Sequence, residues 1–442
     1  MNINFKIFFQ TLFFLLIQIS LGTCITKPAV VEPKIVTKVE VKYEYKYVPV
    51  LKKHPSESNI KESIHRFYKE TIPSLKEKKI ALVTNPSGIG RDPFTLKDTL
   101  QKHSVHLSFL LALEHGILGL EEDFSNKVQT QDKILEVPAY HVYRLKRKQL
   151  QALLKEVDAV VFDVQGMGIR CYTYLTVLKR IMDVLSEKTE LIVLDHIPPG
   201  LSLGIRGDTL EKPYKNFAAE FPLPFITGLS IGEAALYYNH EFLASRVKLK
   251  VLKVENYKRN IPYEASGLPW YTPSPNLPGL ESARNYYSLV LLEGTNLSVG
   301  RGTQAPFIYF GAPYLKKASE IAAELNKNAK GDFFFQSVFF KPAFGPYKGE
   351  ICFGMKLSIF KNDYDPIQLS YELIKTIKKY HPEEFQWREF SGKFFLDNLW
   401  GNPGFRKSID ANLAYDSFYE VFAKKEKLYQ ENVKKYYLYP EK

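Results

Sequence analysis

Cysteine is scarce in this chain: Cys24, Cys171 and Cys352 are the whole complement among 442 residues. Three are too few for a disulfide framework or a four-cysteine zinc site, so the fold must stand on packing. No Walker A sequence, His-Glu-x-x-His or Cys-x-x-Cys occurs, which speaks against phosphate-loop and zinc-dependent hydrolysis. Hydrolysis by a strand-to-helix serine nucleophile is not expected either. Charge of one sign is also modest. Lys and Arg total 60 against 48 Asp and Glu, a net +12, which favours anionic partners in general without choosing among them. With 45% apolar and 24% charged residues the composition is that of a globular chain, with length enough for two or three domains.

Long apolar runs are absent except near the start. Lys6 precedes an apolar stretch over residues 7–21, and small residues lead on to Cys24. That is the layout of a secretory signal, residues 1–23, too short for a comfortable spanning helix. Leu21-Gly22-Thr23-Cys24 resembles a bacterial lipobox, whose Cys becomes the lipidated first residue, although Thr23 stands where Gly or Ala is usual. The expectation is an exported protein of the periplasm or cell envelope, anchored to a membrane through Cys24. Residues 24–57 alternate Val, Lys, Glu and Tyr and carry Pro28, Pro33, Pro49 and Pro55. They read as a tether.

From about residue 58 apolar, β-rich runs alternate with helical stretches. Residues 79–85 (KIALVTN), 106–114 (HLSFLLALE), 158–165 (DAVVFDVQ) and 190–196 (ELIVLDH) are the strands. Helices are expected from Pro93, over 146–156 and over 172–185. Continuous apolar strands separated by helices predict a parallel sheet covered on both faces, an α/β Rossmann-like doubly wound domain over residues 58–257. In such sheets ligands bind outside the carboxyl ends of the strands. Asn85, Glu114-His115-Gly116, Asp163, Gln165 and Asp195-His196 all fall there. Glu114 stands out because Leu110, Leu111, Leu113, Ile117 and Leu118 flank it; a carboxyl in apolar surroundings has a raised pKa, which suits a general acid. The loop Asn85-Pro86-Ser87-Gly88-Ile89-Gly90-Arg91-Asp92 lacks the third glycine of a dinucleotide fingerprint, so no nicotinamide or other cofactor is expected.

The character changes near residue 258. Residues 267–278 (GLPWYTPSPNLP) are too rich in proline for regular structure, and residues 292–303 (LEGTNLSVGRGT) crowd Glu293, Asn296, Ser298, Arg301 and Thr303 into one glycine-punctuated stretch. Amides beside aromatic faces are what a sugar pocket uses, with Asn276, Glu293, Asn296 and Arg301 as the polar candidates. Tyr140, Tyr143, Tyr172 and Tyr174 are available to stack on a sugar, although most of the 28 tyrosines must supply packing. Cys171 reads as a small buried hydrophobe. The basic run over 424–435 reads as a solvated amphipathic helix, not a nucleic-acid patch.

Thr84-Asn85-x-Ser87-Gly88, Glu114-His115-Gly116, Phe162-Asp163-Val164-Gln165 with Arg170-x-Tyr172-Thr173-Tyr174, Gly267-Leu268-Pro269-Trp270, Pro273-Ser274-Pro275-Asn276 and the block over 293–303 stand in an order seen in one family. Over residues 58–440 the chain resembles the exo-β-N-acetylmuramidases of the NamZ type. The resemblance implies a Rossmann-like catalytic domain, a C-terminal α+β auxiliary domain over 258–442 and an active cleft between them. It also implies removal of terminal N-acetylmuramic acid (MurNAc) from the non-reducing ends of peptidoglycan fragments in cell-wall turnover. Glu114, with His115, becomes the catalytic candidate. Asp163, Asp195, Glu293 or the substrate's own acetamido group is the possible second group. Arg170 and Arg301 are the candidate receivers of the lactyl carboxylate, or else anchors of the fold. Asn85, Asp163, Gln165, Tyr172, Asn276, Glu293 and Asn296 complete the substrate-binding set.

Four departures qualify the resemblance. Gln165-Gly166-Met167-Gly168 replaces Gln-Asp-Val-Gly, Asp195-His196-Ile197-Pro198-Pro199 replaces Asp-Arg-Pro-Asn-Pro, Thr227-Gly228-Leu229-Ser230 replaces His-Gly-Met-Thr, and Cys352-Phe353-Gly354 replaces Cys-Gly-Gly. The first three strip polar groups from the first-domain rim and predict altered specificity or weakened activity. A muropeptide-binding lipoprotein without turnover is the alternative, and a surface adhesin working through the basic tether is a third reading.

Overall fold

The structure, a computed structural model, describes residues 60–88, 93–120, 127–329 and 331–441, all within one compact unit that begins at Lys53. The leader, Cys24, the tether and the four residues from Ile89 to Asp92 lie outside the described residues.

The first half is built on strands β1 (Lys79–Thr84), β2 (His106–Ala112), β3 (Gln129–Gln131), β4 (Pro138–His141), β5 (Ala159–Asp163) and β6 (Glu190–Leu194). A two-stranded antiparallel ribbon, β7 (Ile205–Thr209) and β8 (Pro224–Thr227), follows, and then β9 (Lys248–Leu252). The main sheet runs β3-β4-β2-β1-β5-β6-β9, parallel throughout except for β3 at one edge. From β1 the chain steps outward to β2 and β4, then returns to β5 on the other side of β1. This is the doubly wound order, with its switch point between β1 and β5.

Burial on both faces explains why these strands read as continuous apolar runs. Every residue of β5 is buried, and successive side chains alternate between two cores as the pleat requires. Ala81, Val83, Val160 and Phe162 enter one core, whereas Ile80, Leu82, Ala159 and Val161 enter the other. The helix Pro93–Lys102 covers the second core through Leu96 and Leu100, and the helices Arg147–Leu154 and Tyr174–Met182 cover the first. The short strands β4 and β9 escape an apolar-run criterion: Pro138 opens one, and Lys248 and Lys250 interrupt the other at the sheet edge, where charge discourages further pairing.

The second half carries an antiparallel sheet, β10 (Tyr309–Ala312), β12 (Cys352–Ile359) and β11 (Phe333–Phe340) in that order, with the helices Leu280–Leu289, Ala318–Asn328 and Pro366–Tyr380. The first core continues without a break from Phe162 through Tyr287, Met355 and Ile374 to Phe418. The last helix, Tyr415–Val433, is amphipathic as read, burying Phe418, Phe422, Tyr429 and Val433 on one face. It returns to the first half, where Glu426 accepts from the Gly207 amide at 2.7 Å, and beyond it the Tyr439 hydroxyl donates to Asp195 at 2.7 Å.

Candidate active site

The parallel sheet delivers Glu114 two residues beyond β2. The chain then turns at once: His115 and Gly116 both hold positive φ, +71° and +74°, and the Gly116 amide donates to the Leu113 carbonyl at 3.2 Å. A non-glycine residue in the left-handed region costs about 1–2 kcal/mol, so the turn is held by its surroundings. Glu114 and His115 thereby line a cavity of about 1240 Å³, larger than the ~300–1,000 Å³ typical of a drug-sized ligand site and roomy for a disaccharide. Glu114 is half-buried. Of the neighbours that suggested an apolar setting, Leu110, Leu111 and Leu113 are buried and Leu118 is 55% exposed, and none of them lines the cavity. The cavity's apolar walls come from the segment 171–173, from Phe217 and Ala218, and from the second half.

One contact at Glu114 escaped the sequence reading. Thr173 directly precedes the helix Tyr174–Met182, where a threonine hydroxyl ordinarily accepts from the first-turn amides. Here it makes no cap bond and instead donates to Glu114 Oε2 at 2.8 Å. The backbone of Thr173 is already helical, so its hydroxyl is free to orient the carboxyl, and Oε1 has no hydrogen bond among the described residues.

Arg170 sets that segment in place and does not line the cavity. Its guanidinium, pushed down to about 10 by burial, donates to the carbonyls of Asp208 at 2.9 Å, Leu223 at 2.6 Å, Leu399 at 3.2 Å and Trp400. Leu399 and Trp400 end the helix Phe395–Trp400, whose last carbonyls lack intrahelical donors. Of the two roles open to Arg170, the structure gives it the anchoring one: it ties the two halves together and is out of reach of a lactyl carboxylate.

The switch point, where a nucleotide would sit in this fold, is filled by protein. Asn85 donates to Tyr174 Oη at 2.7 Å and to the Pro273 carbonyl at 3.3 Å, and accepts from the Ser87 amide and hydroxyl. A Cβ on Gly88 would stand 2.2 Å from the Asp163 carbonyl oxygen. Asp163, fully buried, meets His196 Nε2 at 2.5 Å. Burial works to lower the His196 pKa, but Asp163, with Asp195 and Glu62, outweighs it and the net shift is upward. Gln165 donates to the carbonyls of Gly166 and Ile197, and Asn276 is buried, its backbone N–H donating to Ser274 Oγ. Asp195 accepts from Ser230, Tyr439 and the Gly232 amide, and burial raises its pKa. Asn85, Asp163, Gln165, Asp195 and Asn276 are therefore built into the scaffold. They are absent from the cavity wall.

Ser230 is held within the scaffold too, although Gly228-Leu229-Ser230-Ile231-Gly232 has the spacing of a serine elbow. Its hydroxyl donates to Asp195 and accepts from the Glu233 amide as the cap of the helix Ile231–Glu241, and it is fully buried. It is a helix cap, with no path to a substrate.

The second half supplies the opposite wall. Glu293, at the end of a helical turn over Val290–Gly294, accepts from Arg301 Nε at 2.7 Å. Burial works against the Arg301 charge, but Glu293 outweighs it and the guanidinium pKa is raised; Phe307 lies beneath it at 5.1 Å. Asn296 is fixed by Tyr314, which donates to its Oδ1 at 2.8 Å, and by its own donation to the Glu384 carbonyl. Tyr172 packs edge-on against Tyr174 and Tyr286, and Tyr286 against Phe307. Of the residues expected in the site, Glu114, His115, Tyr172, Glu293, Asn296 and Arg301 meet in this cavity. Cys171 joins them as a buried thiol pushed up to about 12 by desolvation. Arg388, Trp387 and Tyr347, which no motif marked, also line it.

None of the four departures from the family pattern lines the cavity. Gly166 lies against Ile231, where a Cβ would stand 2.6 Å from the isoleucine side chain, and His196 serves Asp163.

A doubly wound sheet with a closed nucleotide crevice, and a second half that faces it across an aromatic, carboxylate-bearing cavity, define a two-part α/β protein with a carbohydrate-sized pocket. Comparison gives the family. Residues 80–281 match the N-terminal domain of exo-beta-N-acetylmuramidase NamZ, and residues 284–439 match its C-terminal domain. The chain belongs to this family. It is 33% identical over 368 residues to the peptidoglycan beta-N-acetylmuramidase NamZ of Bacillus subtilis, a match covering 83% of this chain and 88% of that protein. Two crystal structures of DUF1343 family proteins from Bacteroides fragilis share the fold. One has a TM-score of 0.76 at 27% identity, covering 86% of this chain and 99% of that one. The other has a TM-score of 0.67 at 25% identity, covering 87% and 100%.

Proposed function

We propose that this chain is an exo-acting glycoside hydrolase that removes terminal MurNAc from the non-reducing ends of peptidoglycan fragments. The observation that carries the reading is Glu114, placed beyond β2 and oriented by Thr173 in one cavity with the Glu293–Arg301 pair. Glu114 delivers a proton to the glycosidic oxygen as the bond to the anomeric carbon breaks. Of the carboxylates considered for the second role, Glu293 alone reaches the cavity. It and the substrate's acetamido oxygen are the groups at hand for the positive charge that develops at the anomeric carbon, and water then completes the hydrolysis. Tyr172, Tyr286 and Phe307 offer flat faces to the sugar, and Asn296 an amide. In this division residues 58–257 are the catalytic part and residues 258–442 the auxiliary part. Because the departures lie off the cavity wall, a binding protein without turnover has no specific observation in its favour.

The full chain in detergent, incubated with MurNAc-GlcNAc, should release free MurNAc and GlcNAc in equal amounts and leave GlcNAc-MurNAc, its linkage partner of reversed order, uncut. No release from the first disaccharide would sink the reading.

Export and a lipid anchor at Cys24 belong to the same proposal, supported by the apolar run over residues 7–21 and the lipobox-like Leu21-Gly22-Thr23-Cys24. Cys24→Ala should move the protein from the membrane fraction to the soluble one; an unchanged distribution would remove the anchor from the account.

A further inference from the structure

MurNAc differs from N-acetylglucosamine by a lactyl ether, which adds one carboxylate to an otherwise neutral sugar. An enzyme selective for MurNAc needs a cation where that group lands. Two cations line the cavity, Arg301 and Arg388. Arg301 already has a carboxylate partner, Glu293, so a second anion arriving there meets a pair whose charges offset each other. Arg388 forms no ion pair among the described residues; its guanidinium lies 5.0 Å over the Phe395 ring. Its backbone is fixed on both sides, its amide donating to Gly294 and its carbonyl accepting from Phe395, each at 2.8 Å. Trp387 pairs with Thr295 as an isolated bridge, so the segment runs beside the glutamate-bearing stretch of the cavity wall. An exposed, unneutralised guanidinium held by its backbone and stacked on an aromatic face is suited to a planar carboxylate, which it can engage through two parallel N–H donors. Glu389, the next residue, also lines the cavity but makes no ion pair with it among the described residues.

We infer that Arg388 reads the lactyl carboxylate and sets the selectivity for MurNAc over N-acetylglucosamine. The inference rests on the muramidase reading, and its test separates the two. Binding of free MurNAc and free N-acetylglucosamine to the full chain in detergent is measured by calorimetry for the parent, Arg388→Met and Arg388→Lys, beside release of MurNAc from MurNAc-GlcNAc. The parent should prefer MurNAc by about tenfold or more, the range of one charge-assisted contact. Arg388→Met should lose that preference through weaker MurNAc binding while holding N-acetylglucosamine as before, and Arg388→Lys should recover part of it. In turnover, Arg388→Met should raise KM and leave kcat within about twofold, the pattern of lost ground-state binding. A parent that binds the two sugars equally, or an Arg388→Met that keeps the preference, overturns the assignment while MurNAc release still decides the muramidase reading. A preference that depends on Arg388 in a protein that releases no MurNAc upholds the assignment and overturns the enzyme.

Discussion

Replacing Arg170 by methionine keeps an unbranched apolar stem, shorter than arginine, and removes every donor. The Leu223 carbonyl keeps a second partner in the Leu210 amide at 3.2 Å, but those of Asp208, Leu399 and Trp400 lose the guanidinium. A buried acceptor left without a donor costs about 1–3 kcal/mol, and relief from burying a cation offsets part of the sum. The expected loss is about 3 kcal/mol, read as a lower urea midpoint by circular dichroism. Gly401→Ala approaches the same contact from the other side. At φ +96° its Cβ would stand 2.7 Å from Arg170 Nη2, so it should also destabilise the protein while leaving Arg170 in place. Both variants should bind MurNAc as the parent does under conditions where they are folded. Arg170→Met with parental stability and weakened MurNAc binding would refute the scaffold role and return Arg170 to the substrate.

Two further predictions follow from single contacts. Thr173→Val removes the hydroxyl from Glu114 and should lower kcat about tenfold at unchanged KM, a loss near one hydrogen bond to a charged group; Thr173→Ser should restore the rate, and a Thr173→Val enzyme with parental kcat would show that the contact does not orient the acid. The His196 pKa is raised because Asp163, with Asp195 and Glu62, outweighs the burial that alone would lower it. A raised folded-state pKa on a histidine contributes stability that is fully present below about pH 6.5 and is lost as pH rises through the folded value. The melting-temperature advantage of the parent over His196→Gln should therefore shrink between pH 6 and 9, and an advantage constant over that range would mean that the pair does not titrate there.

The central strands were legible because both of their faces are buried, which leaves uninterrupted runs such as the AVVFD of β5. The short strands β4 and β9 carry no such signature, because Pro138 opens the one and Lys248 and Lys250 interrupt the other at the sheet edge. At the site, Glu114 and His115 were legible from a strand end, and Glu293, Asn296 and Arg301 from a glycine-punctuated polar block. The same strand-end logic also collected Asn85, Asp163 and Gln165, which the protein uses to close its own switch point with help from Tyr174, Pro273 and His196. Polarity at a strand end does not reveal whether its partner is a ligand or another loop. Arg170 was legible as either a carboxylate receiver or an anchor, but what it anchors was not, because its partners Leu399 and Trp400 lie 229 and 230 residues away. Arg388 has no motif around it and is placed by Gly294 on one side and Phe395 on the other.

Release of MurNAc from MurNAc-GlcNAc, whose sugar leaving group needs a proton, by the full chain and by Glu114→Gln tests the account most directly. Glutamine keeps the shape and an acceptor for Thr173 but has no proton to give, so kcat should fall by about 10²–10⁴-fold, the usual worth of a general acid, while MurNAc binding by calorimetry stays within about twofold. A Glu114→Gln protein that cleaves the disaccharide at the parental rate would contradict the assignment of the acid, and with it the mechanism built on the cavity.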